Sequence, residues 1–295
     1  MFDNFESAKI SVNDVGIDIC CAGNGEPLLL LHGFPQTKAM WARVAPILAK
    51  HYRVICADLR GYGHSSKPPA ADDDASNYTF RQMASDNVQL MQSLGYDRFH
   101  VVGHDRGGRV GYRMALDHTP VVKSLSVLDI VPTHAMFNKT SQSVASAYWH
   151  WYFLSQPKPF PEDMIKANPD LFFETCLVGW GATSIEGFDK EQLDEYRRAW
   201  RNPEMIAGAC ADYRAAARLD VTHDAEGLAN RVSCPVLVLY GSNGVMASLF
   251  DIPGEWRKIC DSVVDTSLPG GHFFVDQFPE ATAEIVDGFV RGGIA

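Results

Sequence analysis

The chain has 295 residues, of which 46% are hydrophobic, and its 26 basic and 36 acidic residues give a formal net charge of -10. A chain of this length buries roughly three quarters of the surface that its unfolded form exposes, so one large core is expected. The acidic balance offers no basic surface to phosphate backbones or anionic lipids, which argues against nucleic acid and membranes as partners.

The N-terminal segment, residues 1–9, lacks the basic start and the apolar body of a secretory signal. No apolar run elsewhere approaches the ~20 residues that a membrane-spanning helix requires. The seven cysteines are scattered, odd in number and never spaced as C-x-x-C, which argues against a disulfide framework and a zinc site. These features predict a cytoplasmic protein.

The first predicted element is a β-hairpin, because apolar residues alternate from Ile10 to Cys20 around the turn residues 13–16. It could cover one edge of a sheet. Six further strands are predicted from apolar runs at residues 27–31, 54–57, 99–102, 125–128, 235–239 and 263–268. These runs are continuous rather than alternating, so helices should cover both faces of the strands.

Helical spacing of apolar residues predicts a helix over residues 80–94, a second over 107–117 and a closing helix from about 279. Strands that alternate with helices indicate an α/β fold with a mostly parallel sheet. Residues 132–221 break this rhythm, because they are rich in aromatics and contain helical patterning but no clear strand. We therefore predict a helical cap, 132–221, inserted into a core of 1–131 and 222–295.

A candidate nucleophile, Asp105, lies in the sequence Gly-x-Asp-x-Gly between a predicted strand and a predicted helix, which is the context of a nucleophile elbow. An aspartate at this position attacks carbon as a carboxylate, which favours displacement at saturated carbon or the opening of an epoxide. The helix N-terminus favours its ionised form. The alternative is that Asp105 only caps the helix.

Two further motifs favour the nucleophile. The first, His32-Gly33-Phe34-Pro35, follows a predicted strand, so the backbone N–H groups of Phe34 and Arg106 could form an oxyanion hole. The imidazole of His32 itself is interpreted as structural. The second is Gly271-His272, late in the chain. His272 could remove a proton from the water molecule that attacks an ester on Asp105.

Two acids compete for the position that orients His272. Residues 240–244, after the next-to-last strand, contain no carboxylate, although many hydrolases of this architecture place the acid there. Asp129, at the end of the predicted strand 125–128, is the preferred candidate. Asp251 is its competitor, and Asp129 could alternatively be a plain strand-end cap.

Together these motifs resemble the α/β-hydrolase superfamily, in its aspartate-nucleophile branch, over essentially the whole chain. The motifs that carry the resemblance are HGFP at 32–35, D-x-R-G-x-G-x-S at 58–65, GHDRGGR at 103–109 and GH at 271–272. Members of this branch are haloalkane dehalogenases, epoxide hydrolases and fluoroacetate dehalogenases. The resemblance implies an α/β-hydrolase fold without a metal or organic cofactor.

Arg106 and Arg109 distinguish among these enzymes. Haloalkane dehalogenases and epoxide hydrolases usually follow the nucleophile with tryptophan, whereas arginine suits planar, bidentate contact with a carboxylate. Resemblance to the fluoroacetate dehalogenases then implies that both arginines bind the carboxylate of a haloacid. The alternative is that either arginine lies at the surface or pairs with an acid of the cap.

The same resemblance implies a halide-binding trio in the cap, formed by His150, Trp151 and Tyr213, whose polar hydrogens could receive fluoride. Simple packing of an aromatic-rich helix is the alternative. The implied reaction converts fluoroacetate and water into glycolate and fluoride, and members of the family are typically homodimers.

Three other functions compete. An epoxide hydrolase would use Tyr213 with a second phenol, Tyr148 or Tyr152, to protonate the opening epoxide, but Arg106 argues against it. A haloalkane dehalogenase shares the nucleophile. A ligand receptor of the same fold, which binds without turnover, is a further alternative. The presence of both Asp105 and His272 argues against it.

Overall fold

The computed structural model describes residues 1–181 and 184–292. Within them one sheet has the strands β1 Glu6–Val12, β2 Val15–Ala22, β3 Glu26–Leu31, β4 Tyr52–Ala57, β5 Phe99–His104, β6 Val122–Leu128, β7 Val236–Gly241 and β8 Val263–Leu268. Their order across the sheet is β1-β2-β4-β3-β5-β6-β7-β8. The β1–β2 hairpin runs antiparallel at one edge, and β3 to β8 are parallel. The predicted hairpin, strands and mostly parallel sheet are thereby confirmed.

Helices cover the sheet and follow the strands along the chain. Those outside the segment between β6 and β7 are α1 Ala45–Leu48, α2 Phe80–Ser93, α3 Arg106–Asp117, α12 Val245–Leu249, α13 Ile252–Arg257, α14 Phe274–Gln277 and α15 Pro279–Val290, numbered here in chain order. In α2 the side chain of Thr79 accepts a hydrogen bond from the amide of Gln82 and begins the helix. Its apolar residues at helical spacing, including Phe80, Met83 and Val88, are buried.

The described residues between β6 and β7 form helices and no strand. These helices are α4 Thr133–Asn138, α5 Gln142–Ala147, α6 Trp149–Leu154, α7 Phe160–Ala167, α8 Pro169–Gly179, α9 Lys190–Trp200, α10 Pro203–Ala215 and α11 Val221–Gly227. A π-helical turn, Ala216–Asp220, joins α10 to α11. The division into a cap, 132–221, and a core remains a prediction; residues 182–183 and 293–295 of these ranges lie outside the described residues.

The four strands at the centre of the sheet, β4, β3, β5 and β6, are parallel and almost entirely buried. The carboxyl ends of the parallel strands lie along one edge of the sheet. The loops after β3, β5, β6, β7 and β8 therefore start side by side, which is where open α/β sheets place their ligands. In the part of the chain that the structure describes, no helix is both long and apolar enough to cross a membrane.

Candidate active site

Asp105 lies in the turn between β5 and α3, with φ of 47° and ψ of -114°. This positive φ is rarely adopted by residues with a side chain, and such strain is characteristic of functional turns. The residue is 7% exposed, and its Oδ1 accepts a hydrogen bond of 2.9 Å from the backbone N–H of Phe34. The backbone N–H of Phe34 therefore contacts Asp105, as the sequence predicts, and it occupies Oδ1 and not Oδ2.

Gly33 allows this close contact between two loops. A Cβ atom at Gly33 would lie 2.4 Å from the Cβ of Asp105 and 2.8 Å from the carbonyl oxygen of His104, so no larger residue fits without displacement. The neighbouring imidazole of His32 lies 3.0 Å from the Gly33 carbonyl through Nδ1 and accepts the Leu59 N–H through Nε2. This agrees with the interpretation of His32 as structural.

His272 follows β8 and lies between two carboxylates. Its Nδ1 is 2.7 Å from Asp129 Oδ2, and its Nε2 is 4.0 Å from Asp105 Oδ2. The second oxygen of Asp129 accepts a 3.0 Å hydrogen bond from the backbone N–H of Gly241. Residues 240–244, which lack a carboxylate, therefore contribute the amide that orients the acid from β6.

Asp251 is in a different environment. Its side chain accepts a 3.0 Å hydrogen bond from the Gly254 amide and caps α13 at the surface. The structure thus brings Asp129, and not Asp251, to the imidazole.

The charges of the three groups are coupled. Burial opposes ionisation of Asp105, but His272 and Arg106 outweigh burial and hold its pKa below the ordinary value. Burial also opposes protonation of His272, but Asp129 outweighs it and raises the imidazole pKa above 6.5. The site therefore contains an ionised Asp105 and a histidine, His272, that retains its proton to higher pH than usual.

The two arginines of α3 have unequal surroundings. Arg106 pairs with Asp212 of α10: its Nε donates to Oδ2 at 2.9 Å, and its Nη2 contacts Oδ1 and donates to the backbone oxygen at 3.0 Å. Arg109 donates through Nη1 to the carbonyl of Val131 and the hydroxyl of Thr133. The alternative of a pairing with a cap acid therefore applies to Arg106.

Several nitrogens of these arginines are nevertheless available. Three of them are buried and have no hydrogen-bond partner within residues 1–181 and 184–292. These are Nη1 of Arg106 and both Nε and Nη2 of Arg109. Burying an unpartnered donor costs free energy, so these nitrogens can gain from a hydrogen bond to a ligand. The two guanidinium carbons lie 5.3 and 4.7 Å from the ring of Trp151, which places both arginines beside the cap.

The rings of His150, Trp151 and Tyr213 lie together, with centroid separations from 5.5 to 6.5 Å. Each is at most 3% exposed. Burial lowers the pKa of His150 and raises the pKa of Tyr213, so the imidazole is neutral and the phenol keeps its proton. Nδ1 of His150 and the hydroxyl of Tyr213 are buried and have no hydrogen-bond partner among the described residues.

The two tyrosines that an epoxide hydrolase could use with Tyr213 have different positions in the structure. Tyr148 is 3% exposed, and its aromatic ring lies 6.0 Å from that of His150, whereas Tyr152 is 37% exposed and its hydroxyl contacts Thr140. Tyr152 is therefore outside the site.

Sequence reasoning missed three residues that support His272 or Arg106. His104 has its Nε2 2.8 Å from the carbonyl oxygen of His272, and the indole of Trp180 meets the His272 ring edge-on at 5.4 Å. Asp212 was not singled out either. Only the position of His104 beside Asp105 provided a sequence signal, because Trp180 and Asp212 come from distant parts of the chain.

The family model for the alpha/beta hydrolase fold matches residues 26–279. A fluoroacetate dehalogenase from Burkholderia sp is 57% identical over 100% of this chain and 97% of its own length. A soluble epoxide hydrolase from Corynebacterium sp. (strain C12) is 31% identical over 91% of each chain. The crystal structure of ALR0039 from Nostoc sp PCC 7120 has a TM-score of 0.96 and 46% identity, covering 98% of this chain and 99% of that one. With this sheet order, elbow and match, the chain belongs to the α/β-hydrolase family.

Proposed function

We propose that this protein is a haloacetate dehalogenase, which converts fluoroacetate and water into glycolate and fluoride through a covalent ester on Asp105. The observation that carries the proposal is Arg109, a buried cation of α3 with two unpartnered N–H-bearing nitrogens; α3 begins directly after Asp105. A carboxylate is the ligand that such a fork fits. The Burkholderia relative, named for this activity, supports the same substrate class.

In the first step, Oδ2 of Asp105 attacks the α-carbon and displaces the halide. Oδ1 is held by the Phe34 amide, so Oδ2 is the oxygen that is free to form the new bond. Arg106 and Arg109 hold the substrate carboxylate and orient the carbon–halogen bond away from the nucleophile. Proximity of this kind lowers the barrier because orientation is fixed before reaction.

The departing halide requires a replacement for its hydration shell. His150, Trp151 and Tyr213 supply it in the proposed mechanism, since imidazole, indole and phenol all donate hydrogen bonds. The unpartnered polar atoms of His150 and Tyr213 support this role. Fixed donors in a dry pocket are most valuable for fluoride, which is small and strongly hydrated.

In the second step, His272 removes a proton from water, which attacks Cγ of Asp105. The 4.0 Å separation between Nε2 and Oδ2 is longer than a hydrogen bond and short enough for one water molecule to act between the two residues. The ester carbonyl oxygen, Oδ1, becomes the oxyanion, and the amides of Phe34 and Arg106 stabilise it. The Cγ–Oδ2 bond breaks, and glycolate departs with Oδ2, which takes up the proton that His272 removed from water. The water oxygen completes the carboxylate of Asp105.

Product analysis tests the reaction class. Incubation with fluoroacetate, chloroacetate and an aryl epoxide should release fluoride and chloride from the two haloacids and little diol from the epoxide. Diol formation without halide release would instead favour an epoxide hydrolase. Absence of halide from both haloacids would refute the proposal.

Isotope labelling tests the covalent route. A single turnover with excess enzyme in oxygen-18 water should place the label in Asp105 and leave the first glycolate unlabelled. Direct attack by water would reverse this pattern, with labelled glycolate and an unlabelled Asp105.

We further propose a homodimer in a reducing, cytoplasmic compartment. Exposed apolar side chains on α6, α7 and α8 form what we term the cap patch, namely Trp149, Phe160, Met164, Leu171 and Val178. Aromatic contacts connect these helices, including Trp149 with Phe172 at 5.6 Å. An exposed apolar surface of this kind typically marks an interface, and the seven free cysteines fit reducing conditions.

A further inference from the structure

Asp212 holds Arg106 along one complete edge of its guanidinium. Both side chains are fully buried, and the contacts from Nε and Nη2 reach both carboxylate oxygens and the backbone oxygen of Asp212. Only Nη1 is left without a hydrogen-bond partner in the described part of the chain. An arginine held in this way presents one nitrogen in a fixed direction, because the planar group cannot rotate without breaking the paired edge.

Asp212 is itself held by a second donor, Tyr62. The phenol donates a 2.7 Å hydrogen bond to Oδ2 of Asp212, and Tyr62 is completely buried in the turn after β4. This contact depends on close packing of α10 against the turn. A Cβ atom at Gly208 would lie 2.8 Å from the carbonyl oxygen of Gly61. Three separate segments of the chain, the β4 turn, α3 and α10, therefore meet at one carboxylate.

The pairing also divides charge unequally between the two arginines. Burial opposes protonation of Arg106, but Asp212 outweighs burial and raises the guanidinium pKa, so the pair is a buried, mutually neutralised cation and anion. Arg109 instead donates to a carbonyl and a hydroxyl, which are neutral. A carboxylate that enters the site therefore meets its main counter-charge at Arg109 and a fixed donor at Arg106.

We propose that Asp212 is a positioning residue, supported by Tyr62, that fixes Arg106 as a directional donor and leaves Arg109 to supply the positive charge for the substrate carboxylate. This inference rests on the proposed haloacetate function and assigns separate tasks to the two arginines. Asp212 acts through Arg106 and does not itself touch the substrate.

The test variant is Asp212→Asn, which keeps the shape of the side chain and removes its charge. Its KM for chloroacetate should rise about tenfold, equivalent to about 1.4 kcal/mol, because Arg106 is no longer held in one orientation. Inhibition by acetate, an unreactive carboxylate, should weaken by the same factor. Inhibition by chloride ion should not change, since the halide donors are on other residues.

Glu162→Gln is the matched control. Glu162 forms a second buried ion pair with an arginine of α10, Arg214, at 2.7 Å. Its loss should lower thermal stability without changing KM or acetate inhibition. An Asp212→Asn enzyme that folds and retains wild-type KM and acetate inhibition would overturn the proposal.

Tyr62→Phe keeps both charges and covers the case in which Asp212→Asn fails to fold. It should weaken acetate inhibition in the same direction by a smaller factor, and an unchanged value would also overturn the proposal. Acetate binding measured by calorimetry separates this inference from the proposed reaction. If the wild type releases no halide but binds acetate, and Asp212→Asn binds it less tightly, the reaction is wrong and the positioning role stands.

Discussion

The two oxygens of Asp105 have different surroundings, and the proposed mechanism gives each of them a different role. Oδ1 is held by the Phe34 amide, and Oδ2 is nearest His272. One oxygen can thus remain the carbonyl of the ester while the other forms the bond to carbon. A second difference, that between Nδ1 and Nε2 of His272, is set by the contact with Asp129.

His272→Asn should separate the two chemical steps. The variant still has the nucleophile, so one equivalent of halide per site should be released, after which turnover should slow by roughly 10²–10⁴-fold for want of a general base. Mass spectrometry of the quenched protein should find a carboxymethyl group on Asp105. Asp105→Ala is the control and should yield neither halide nor adduct; full turnover by His272→Asn would remove His272 from the mechanism.

Asp129→Asn should change the pH dependence of ester hydrolysis. The reaction needs neutral His272, so hydrolysis should increase with pH through the imidazole pKa, which Asp129 raises in the wild type. Without the Asp129 charge, burial lowers the pKa and the inflection should move to lower pH, with a reduced maximal rate. Rapid mixing across pH measures the decay of the ester. An inflection that stays in place would contradict the orienting role, and Asp251→Asn should leave the profile as in the wild type.

At the scale of elements, a buried carboxyl connects the core to the helices between β6 and β7. Asp276 of α14 accepts hydrogen bonds from Gln36, after β3, at 2.8 Å and from Tyr196 of α9 at 3.2 Å. Burial raises the pKa of Asp276 to about 7, against the opposing effect of these hydrogen bonds. A protonated carboxyl is therefore favoured in the folded state over a range where an unfolded aspartate is ionised.

This linkage makes stability depend on pH. Between pH 3.8 and about 7 the folded state binds a proton that the unfolded state has released, so the free energy of unfolding falls as pH rises. The slope from this group is at most about 1.4 kcal/mol per pH unit. Asp276→Asn cannot titrate and should be closer to the wild type at low pH and comparatively more stable near neutrality.

Urea unfolding at several pH values measures the effect. The difference in unfolding free energy between Asp276→Asn and the wild type should grow with pH, whereas Asp251→Asn, at a surface helix cap, should give a difference that does not grow in this way. Parallel curves for Asp276→Asn and the wild type would show that this carboxyl does not titrate over the range.

At the scale of the whole molecule, the cap patch bears on assembly. Leu171 is 65% exposed and Met164 is 59% exposed, on a protein whose net charge of -10 otherwise keeps copies apart. Pairing two patches would remove this apolar surface from water, which favours association. A two-fold dimer is the commonest form of such an assembly.

Leu171→Asp should convert a dimer into a monomer, because a charge buried in an apolar interface must lose its hydration. Light scattering after size-exclusion chromatography measures the mass directly. Leu228→Asp is the control, since Leu228 is 40% exposed outside the patch and should leave the mass unchanged. A wild-type protein that is monomeric at high concentration would refute the dimer.

The strands and the nucleophile turn could be predicted from sequence because their signals are local. Continuous apolar runs such as Leu28–Leu31 reflect burial on both faces, and the glycines around Asp105 are needed by the turn itself. The edge strand β1 was harder to delimit: Glu6 to Lys9 are exposed, so its first half has no apolar pattern and the observed hairpin starts earlier than predicted. The candidate residues of the site could also be predicted from sequence, but the contacts between them could not.

What the sequence determined by itself was the fold class, the elbow and the residue types available for chemistry, because each depends on neighbours within a few positions. Tertiary structure decided which groups meet. Asp129 follows β6 and Asp251 lies beyond β7, and only the position of β6 in the sheet, separated from β8 by β7, brings Asp129 within 2.7 Å of His272. Arg106 and Arg109 look equivalent along α3, and only the packing of α10 neutralises one of them with Asp212, since contacts over 100 residues of chain leave no local pattern.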